Sequence, residues 1–365
     1  MSSEPLVPET RVLAVASHVV YGYVGNTMAT FVMQSLGCEV AALNTVHFSN
    51  HTGYKQVKGT KATAQEIRDL YQGLQQSYLT DFDVLLSGYA PSAAAVEAVG
   101  EIGLDLQRKA EKKPGSFFWI LDPVMGDQGR IYVNEDVVPA YKKIIHHADL
   151  ILPNQFEAEL LSGIKITSLH TLAEAITAIH KTYSVPHIIV TSVQLTTLSH
   201  SASTTAPPST LTVIGSTTRS DGSPRLFRVD VPALDCFFSG TGDMFAALTV
   251  ARLREAVFSA DPALRHTKSW VSPDSVPATE LPLAKATVKV LASMHSVLEN
   301  TIRARDEELR ASSADADEEP VEDTDEARQK REHLRRTKAA EVRLVRNVKF
   351  LRDPVVRFEV QAWSE

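Results

Sequence analysis

The chain has 365 residues, of which 44% are hydrophobic, and a formal net charge of −7. This size suits one large α/β domain with additions, or two domains, and the absence of a dominant basic stripe argues against a nucleic-acid partner. Its two cysteines, Cys38 and Cys236, make no disulfide framework, and the N-terminus does not resemble a secretory signal. No apolar run reaches the roughly 18–20 residues of a membrane span. We therefore expect a soluble protein of the cytoplasm, with the nucleus as the alternative compartment.

Apolar runs alternate with helical patterns through the first half of the chain, after an N-terminus (residues 1–10) that we expect to be flexible. Strands are predicted at Arg11–Ser17, Glu39–Leu43, Asp83–Leu86 and Phe117–Leu121, helices at 26–36, 63–78 and 92–112, and a small peripheral strand at Tyr54–Lys58. Strands that alternate with helices indicate βαβ units, which build a mostly parallel sheet.

The same alternation continues in the second half with two interruptions. Helices are predicted at 135–147 and 284–302, and strands at Leu150–Leu152, His187–Val190 and Arg225–Val231. Residues 196–224, rich in Ser, Thr and Pro, and residues 255–280 are interpreted as surface insertions, the first with a strand-like run at Leu211–Ile214. The predicted fold is α/β: a central, mostly parallel sheet with helices on both faces and small peripheral β elements, formed by residues 11–304.

A charged block follows this domain. Eight of the twelve residues in Asp315–Glu326 are acidic, and six of the next twelve are Lys or Arg. Such blocks seldom fold alone, so we expect residues 305–338 to be a disordered, dispensable insertion, although a partner-docking site is the alternative. Residues 339–365 are expected to return to the domain as strands, at Val342–Phe350 and Val355–Val360.

The strongest chemical signal is the segment Ser239–Phe245, in which Gly240 and Gly242 open an apolar helix. The first amides of a helix have no intrahelical partner and lie at the positive end of its dipole, which favours a phosphate. A carboxylate on that first turn, Asp243, could accept a proton from an alcohol while the amides hold a phosphoryl group. A glycine-rich turn with an Asp that only stabilises the helix dipole is the alternative.

Three further polar segments follow predicted strands. They are Asp122–Asp127, Pro153–Glu159 with Asn154 as a predicted N-cap three residues before Glu157, and Thr191-Ser192. Each could be a structural turn or cap by itself. Because the carboxyl ends of parallel strands meet at one edge of a sheet, however, we expect all four segments to converge. Two carboxylates in one such loop could hold Mg²⁺ through water, opposite ATP phosphates. The convergence predicts a phosphoryl-transfer enzyme.

Several motifs resemble those of eukaryotic pyridoxal kinases of the ribokinase-like superfamily. They are SHVVYGYVGN (17–26), FSNHTGY (48–54), SGYAPS (87–92), DPVMGD (122–127), PNQFEAELLSG (153–163) and GTGDMFAA (240–247). The resemblance implies an ATP-dependent kinase that phosphorylates the 5′-hydroxymethyl group of pyridoxal, pyridoxine or pyridoxamine, giving pyridoxal 5′-phosphate in vitamin B6 salvage. It also implies a homodimer.

The resemblance assigns roles to residues. Asp243 would be the catalytic base, and Gly240, Thr241 and Gly242 would form the anion hole. Ser17 would lie near the pyridine nitrogen and Thr52 near the 3-hydroxyl group. Val24, Phe48, His51 and Tyr89 would line the ring pocket, where flat side chains suit a flat heterocycle.

The same resemblance places ATP and its metal. Asp122, Asp127, Asn154 and Glu157 match the phosphate and metal region, and Tyr132, Thr191 and Ser192 lie near the ATP phosphates, as do Thr241 and Gly242. Leu234, Phe238 and Leu298 would flank adenine or ribose. The implied Mg²⁺ ligands are Asp122, Asp127, Glu157 and Thr191. Relatives often use K⁺ as well, but Leu152 stands where they commonly have Thr.

Two rivals stay open at this point. One is another kinase of the same fold, such as a hydroxymethylpyrimidine kinase. The other is a non-catalytic binding protein that has kept the fold, which the acidic block would suit but which would need neither Asp243 nor the glycine turn.

Overall fold

A ten-stranded sheet organises the described part of the chain, which is residues 7–193, 210–314 and 324–363 of the computed structural model. Its strands are β1 (Arg11–Val19), β2 (Glu39–Phe48), β3 (Gly59–Lys61), β4 (Val84–Ser87), β5 (Phe118–Leu121), β8 (Leu150–Ile151), β9 (His187–Val193), β10 (Thr210–Thr218), β11 (Pro224–Pro232) and β12 (Val360–Ala362). A separate hairpin pairs β6 (Gly126–Asp127) with β7 (Arg130–Ile131).

The helices pack on both faces of this sheet. They are α1 (Gly25–Ser35), α2 (Ala64–Gln76), α3 (Ala93–Ala110), α4 (Val137–Ile144), α5 (Gln155–Ser162), α6 (Leu169–Tyr183), α7 (Thr241–Ser259), α8 (Pro282–Ala314), α9 (Asp325–Ala339) and α10 (Val348–Arg352). None of the described helices is long and apolar enough to cross a bilayer.

The strand order is β12-β11-β10-β9-β8-β5-β4-β1-β2-β3. The six strands from β9 to β2 are parallel, and β10, β11, β12 and β3 are antiparallel additions at the two sides. This confirms the predicted α/β class with a mostly parallel sheet. The carboxyl ends of the six parallel strands therefore meet at one edge, as connection by crossover helices requires.

Side chains of β1 alternate between two buried clusters. Val12 and Ala14 pack with α1, α7 and α8 on one face, whereas Leu13 and Val15 pack with α2 to α6 on the other. Because both faces are covered, the strand reads in the sequence as a continuous apolar run rather than as an alternating one.

The peripheral strand predicted at Tyr54–Lys58 lies elsewhere. Residues Thr52–Tyr54 form a 3₁₀ turn that ends at Lys55 in the left-handed conformation (φ 56°), and the strand, β3, begins only at Gly59. The chain must first reverse before it can pair antiparallel with β2.

The insertion predicted at 196–224 is in part a regular strand, while its residues 196–209 lie outside the described residues. The strand-like run at Leu211–Ile214 belongs to the nine-residue β10, which pairs with β9 and β11. Its polar residues are buried but hydrogen-bonded: the Ser216 hydroxyl lies 2.8 Å from Nε2 of His180, and the Thr217 hydroxyl 2.9 Å from Nδ1 of His187. Polar residues were expected at the surface because burying them without partners is costly. These hydrogen bonds remove that cost, so the residues can lie in a buried strand.

Residues 255–280 are partly exposed, but several of them are buried in the core, so the segment is not only a surface insertion. The helix α7 continues to Ser259, and Trp270 stacks on Phe118 with ring centroids 4.2 Å apart. Arg225, 1% exposed, donates to the carbonyl oxygens of Ser272 and Pro273 at 2.8 and 2.7 Å. This segment therefore packs against the sheet, at Phe118 of β5 and Arg225 of β11.

The prediction of disorder at 305–338 is wrong for its described residues. Helix α8 runs on to Ala314, and 325–338 lie in α9; residues 315–323 lie outside the described residues. The charge pattern that suggested disorder suits a helix, since α9 has acidic residues in its first turn and basic ones in its last, with Thr324 as N-cap.

Both ends of the chain also differ from expectation. Residues Val345–Asn347 form a 3₁₀ turn followed by α10, where a strand was predicted at Val342–Phe350, and the second predicted strand is reduced to β12. From Val7 onward the N-terminal segment packs against the domain: Val7 is 2% exposed, and the Thr10 hydroxyl accepts from Nε of Arg254.

The Trp270→Ala variant tests whether 255–280 is part of the core. It removes a buried indole and its hydrogen bond to the Gly115 carbonyl, so we expect a loss of about 3–5 kcal/mol in the free energy of unfolding. Urea denaturation measures it, with Leu70→Ala at a site 57% exposed as a control that should change by less than about 0.5 kcal/mol. If Trp270→Ala lowered the free energy of unfolding as little as Leu70→Ala does, residues 255–280 would not contribute to the core.

Candidate active site

The first turn of α7 provides an anion site. Gly240, at φ 81°, caps the helix without a side-chain hydrogen bond, and any side chain there would collide with the Tyr23 carbonyl oxygen. The amides of Thr241 and Gly242 begin the helix, where amides have no intrahelical partner and the helix dipole is positive. Both features favour a bound phosphoryl group.

Asp243 stands on this turn, and its carboxylate accepts a hydrogen bond from the Gly25 amide. Gly25 begins α1 at φ 52°, so close to Ser17 that a side chain could not fit. The openings of α1 and α7 thus meet at Asp243. Burial raises the pKa of Asp243 to about 6, which the Gly25 hydrogen bond partly offsets. The group is therefore ionised at neutral pH but able to take up a proton.

Glu157 holds the loop that follows β5. Its Oε1 accepts from the amides of Met125 and Gly126 at 2.8 and 3.4 Å, and its Oε2 from the Asn154 amide at 2.9 Å. The last contact completes the predicted capping box, in which the Asn154 side chain accepts from the Glu157 amide. Asn154 also donates to the Gly126 carbonyl at 2.7 Å. Both side chains thus fix the position of the Asp122–Asp127 loop.

Three carboxylates crowd around the α7 turn. Burial, then the charge of Glu157 and then that of Asp243, raise the pKa of Asp122 well above its usual range. A methyl group on Gly242 would lie 3.7 Å from Oδ2 of Asp122, which places that carboxylate beside the anion site. Burial, only partly offset by its hydrogen bonds from three amides, raises the pKa of Glu157 to about 7. The structure therefore brings Asp122, Glu157 and Asp243 together.

The hairpin β6–β7 brings two more predicted residues to this edge. Asp127 is exposed, and its carboxylate accepts from the next amide, that of Gln128, at 2.7 Å, while its charge acts on Glu157. Tyr132 donates its amide to the Met125 carbonyl and is within electrostatic range of Glu157 and Asp122, with a side chain that is 59% exposed.

The end of β9 adjoins Asn154. Thr191 forms a parallel bridge with Asn154 and donates its amide to the Pro153 carbonyl at 3.0 Å, and the exposed Ser192 has φ 55°. Leu234, Phe238 and Leu298 lie on the other side, at the cluster formed by α7 and α8. Leu298 is buried, and the other two are partly buried against that cluster.

The residues predicted for the ring pocket surround the opening of α1. Val24 is the N-cap residue of α1, and its side chain lies against Gly240. Ser17 and Phe48 stand near the ends of β1 and β2, and Tyr89 lies two residues after β4, where burial raises the pKa of its phenol. Val24 thus borders the α7 turn directly, and Ser17 lies against Gly25.

The turn after β2 has contacts that the sequence does not indicate. Thr52 is exposed, whereas His51 is buried and its Nε2 lies 3.0 Å from Oε1 of Glu341. Glu341 is 290 residues away along the chain, and no motif marks it. The role of Gly25 was missed as well, although the glycine-punctuated loop after β1 was a usable signal.

No set of three or more Asp, Glu, His or Cys side chains in the described ranges is arranged to hold a metal ion. Mg²⁺ that bridges a nucleotide is normally held by one or two carboxylates together with phosphates and water, which the carboxylates present would allow.

Known proteins with the same organisation were found by comparison. Residues 40–281 match the family model described as phosphomethylpyrimidine kinase. The chain is 36% identical over 291 residues to a putative pyridoxal kinase of Schizosaccharomyces pombe (80% of this chain, 85% of that one). It is 39% identical over 254 residues to the pyridoxal kinase of Homo sapiens (67% and 77%).

The fold agrees with these matches. The pyridoxal kinase of Leishmania donovani, solved with ADP and pyridoxamine, superposes with a TM-score of 0.74 at 27% identity, over 97% of this chain and 100% of that one. Sequence identity above a third over most of the relatives' length, together with the shared ribokinase-like architecture, establishes that this chain belongs to the pyridoxal kinase family.

Proposed function

We propose that the chain transfers the γ-phosphoryl group of ATP to the 5′-hydroxymethyl group of pyridoxal, and also of pyridoxine and pyridoxamine, giving pyridoxal 5′-phosphate from pyridoxal in vitamin B6 salvage. The observation that carries the proposal is Asp243 on the glycine-opened turn of α7, at the edge where Asp122 and Glu157 gather. Relatives solved with ADP together with pyridoxamine or pyridoxine support the substrate class.

Asp243 is proposed as the base. With a pKa of about 6 it is ionised at neutral pH, and it can accept the proton of the 5′-hydroxyl group as that oxygen attacks phosphorus. The Gly25 hydrogen bond orients the carboxylate. The amides of Gly240, Thr241 and Gly242 stabilise the charge on the transferred phosphoryl oxygens, the larger part of catalysis in this reaction class.

Binding positions follow from the same edge. Ser17, Val24, Phe48, His51, Thr52 and Tyr89 are proposed to hold the pyridine ring. Asn154, Tyr132, Thr191 and Ser192 are proposed to contact ATP phosphates, and Leu234, Phe238 and Leu298 to flank the adenosine. The apolar character of the last three suits a base or ribose.

Mg²⁺ is proposed near Asp122, with Asp127, Glu157 and Thr191 around it. The Glu157 carboxylate already accepts three backbone hydrogen bonds, two from the Asp122–Asp127 loop and one from Asn154, so Asp122, which faces like charges, is the better direct ligand. Mg²⁺ held there would offset the negative charge of the carboxylates and of the nucleotide phosphates. K⁺ is also proposed, but the Leu152 side chain is buried in the core, so backbone oxygens would have to hold it.

Two further proposals rest on the family resemblance alone: that the enzyme is a homodimer, and that it works in the cytoplasm. Analytical ultracentrifugation and fluorescent tagging would test them.

A pyrimidine substrate is the second candidate, because the matching family model carries the description phosphomethylpyrimidine kinase. Purified protein with ATP and Mg²⁺ should be offered pyridoxal, pyridoxine, pyridoxamine and hydroxymethylpyrimidine, with products identified by mass. We expect the three B6 forms to be phosphorylated with the higher kcat/KM. Preference for the pyrimidine would overturn the substrate assignment, and no turnover of any of them would favour a binding protein.

The Asp243→Asn variant should lower kcat by roughly 10²–10⁴-fold, the range for loss of a general base, with little change in KM. Asn keeps an oxygen that can accept from Gly25, so the fold should be retained. Steady-state kinetics measure the effect, and circular dichroism checks the fold. A kcat within a few-fold of the wild-type value would show that Asp243 is not the base.

The crowded carboxylates predict a pH-dependent stability. A carboxyl group whose pKa is raised in the native state stabilises that state when protonated, and this contribution is lost as pH rises. For Asp243 and Glu157 the loss falls between about pH 4 and about pH 7, from their ordinary values of 3.8 and 4.5 to about 6 and about 7.

Asp122→Asn removes one of these repelling charges. We expect the ligand-free variant to melt roughly 2–4 °C above wild type at pH 8, and the gain to shrink at pH 5, where its neighbours are protonated. Differential scanning calorimetry measures both, with the exposed Asp69→Asn as a matched control. A lower melting temperature at pH 8 would contradict the repulsion.

A further inference from the structure

The C-terminal part of the chain reaches the turn that follows β2. Nε2 of His333, on α9, donates to the Gly53 carbonyl at 2.9 Å. Two residues after α9 ends, Glu341 inserts its carboxylate beside His51 and Tyr54. A segment expected to be dispensable thus contacts the motif that marks the substrate subgroup.

Glu341 connects two loops of the predicted ring pocket. Its Oε1 accepts from His51 Nε2 at 3.0 Å and from the Tyr54 hydroxyl at 2.8 Å. Its Oε2 faces the loop between β1 and α1, since a methyl group on Gly22 would lie 2.6 Å away. That loop continues to Val24 and Gly25, whose amide orients Asp243. Glu341 is 8% exposed, so these hydrogen bonds replace those to water that its carboxylate loses on burial.

The contact also sets the protonation pattern of His51. A carboxylate can only accept hydrogen bonds, so the Nε2 of His51 that faces Glu341 carries a proton. Nδ1 is buried and has no hydrogen-bond partner among the described residues. In the neutral ring this nitrogen is the acceptor, and the contact at Nε2 fixes its direction.

We propose that Glu341 is a positioning residue: it fixes the tautomer and ring orientation of His51 and joins the 51–54 turn to the 20–25 loop, so that both walls of the ring pocket are preformed. This rests on the proposed function, because His51 matters to the reaction only if the B6 ring binds against it. A preformed pocket lowers the cost of ordering these side chains when substrate binds. Loss of Glu341 should therefore weaken binding of the ring and leave ATP binding unaffected.

Kinetics of Glu341→Ala and Glu341→Gln test the proposal. In the Ala variant we expect KM for pyridoxal to rise on the order of tenfold, because the pocket loses two buried hydrogen bonds to a carboxylate that hold its walls in place before substrate binds. KM for ATP and kcat should stay within about threefold. Gln retains Oε1 as an acceptor for His51 and Tyr54, so it should recover most of the affinity. Glu97→Ala, which breaks the ion pair between α3 and Lys143 on α4, is the matched control and should leave KM for pyridoxal unchanged.

A direct readout does not depend on turnover. ¹⁵N NMR of the His51 ring in the wild-type enzyme should show protonated Nε2 and bare Nδ1, and in Glu341→Ala a mixture of tautomers. If the Glu341→Ala variant does not fold, the spectrum of the wild-type enzyme and the kinetics of the Glu341→Gln variant still test the proposal.

The outcomes separate the two proposals. Wild-type protein that fails to phosphorylate any B6 form refutes the proposed function, while the NMR signature still tests the position of His51. An active wild type in which Glu341→Ala leaves KM for pyridoxal unchanged, or raises both KM values alike, overturns the positioning role. So does an Nδ1-protonated His51.

Discussion

The burial of three carboxylates at one edge of the sheet, with mutual repulsion acting most on Asp122, is the constraint on which the rest of the site depends. Crossover helices make six strands parallel, which brings Asp122 and Glu157 to one edge. Strand β11 is antiparallel to β10 and therefore runs in the same direction as β9, so the α7 turn with Asp243 that follows it lies at the same edge. Backbone amides offset part of the charge: three donate to Glu157 and one to Asp243. The raised pKa values show that the compensation is incomplete. A cation brought with a nucleotide would complete it, which links the stability of the free protein to the chemistry we propose.

Much of the sheet and the polar edge could be predicted because the signals are local. The capping box at Asn154 and Glu157 needs only four consecutive residues, and the glycine turn before Asp243 needs five. Apolar runs without alternation identified the parallel strands, since both faces are covered by helices. Once the strands are parallel, the convergence of their ends follows from topology. The roles of individual ligand contacts stay predictions.

The remaining features depend on partners distant in the chain. Ser216 and Thr217 were predicted to lie in a loop, because the sequence does not indicate their hydrogen bonds to His180 and His187. Trp270 was predicted to lie in an insertion, because the sequence does not indicate that its ring stacks on Phe118. The basic run at 325–338 read as disordered, although its charge order suits a helix and His333 secures it to Gly53. Glu341 could not be found at all, because composition carries no information about a contact 290 residues apart.

The central claim is that Asp243 is the ionised base at this edge, and the pH dependence of kcat/KM for pyridoxine tests it most directly. The account predicts an acidic limb with a midpoint at about pH 6, below which the rate falls tenfold per pH unit as the free enzyme takes up one proton. A kcat/KM that stays level from pH 7 to pH 5 would contradict it.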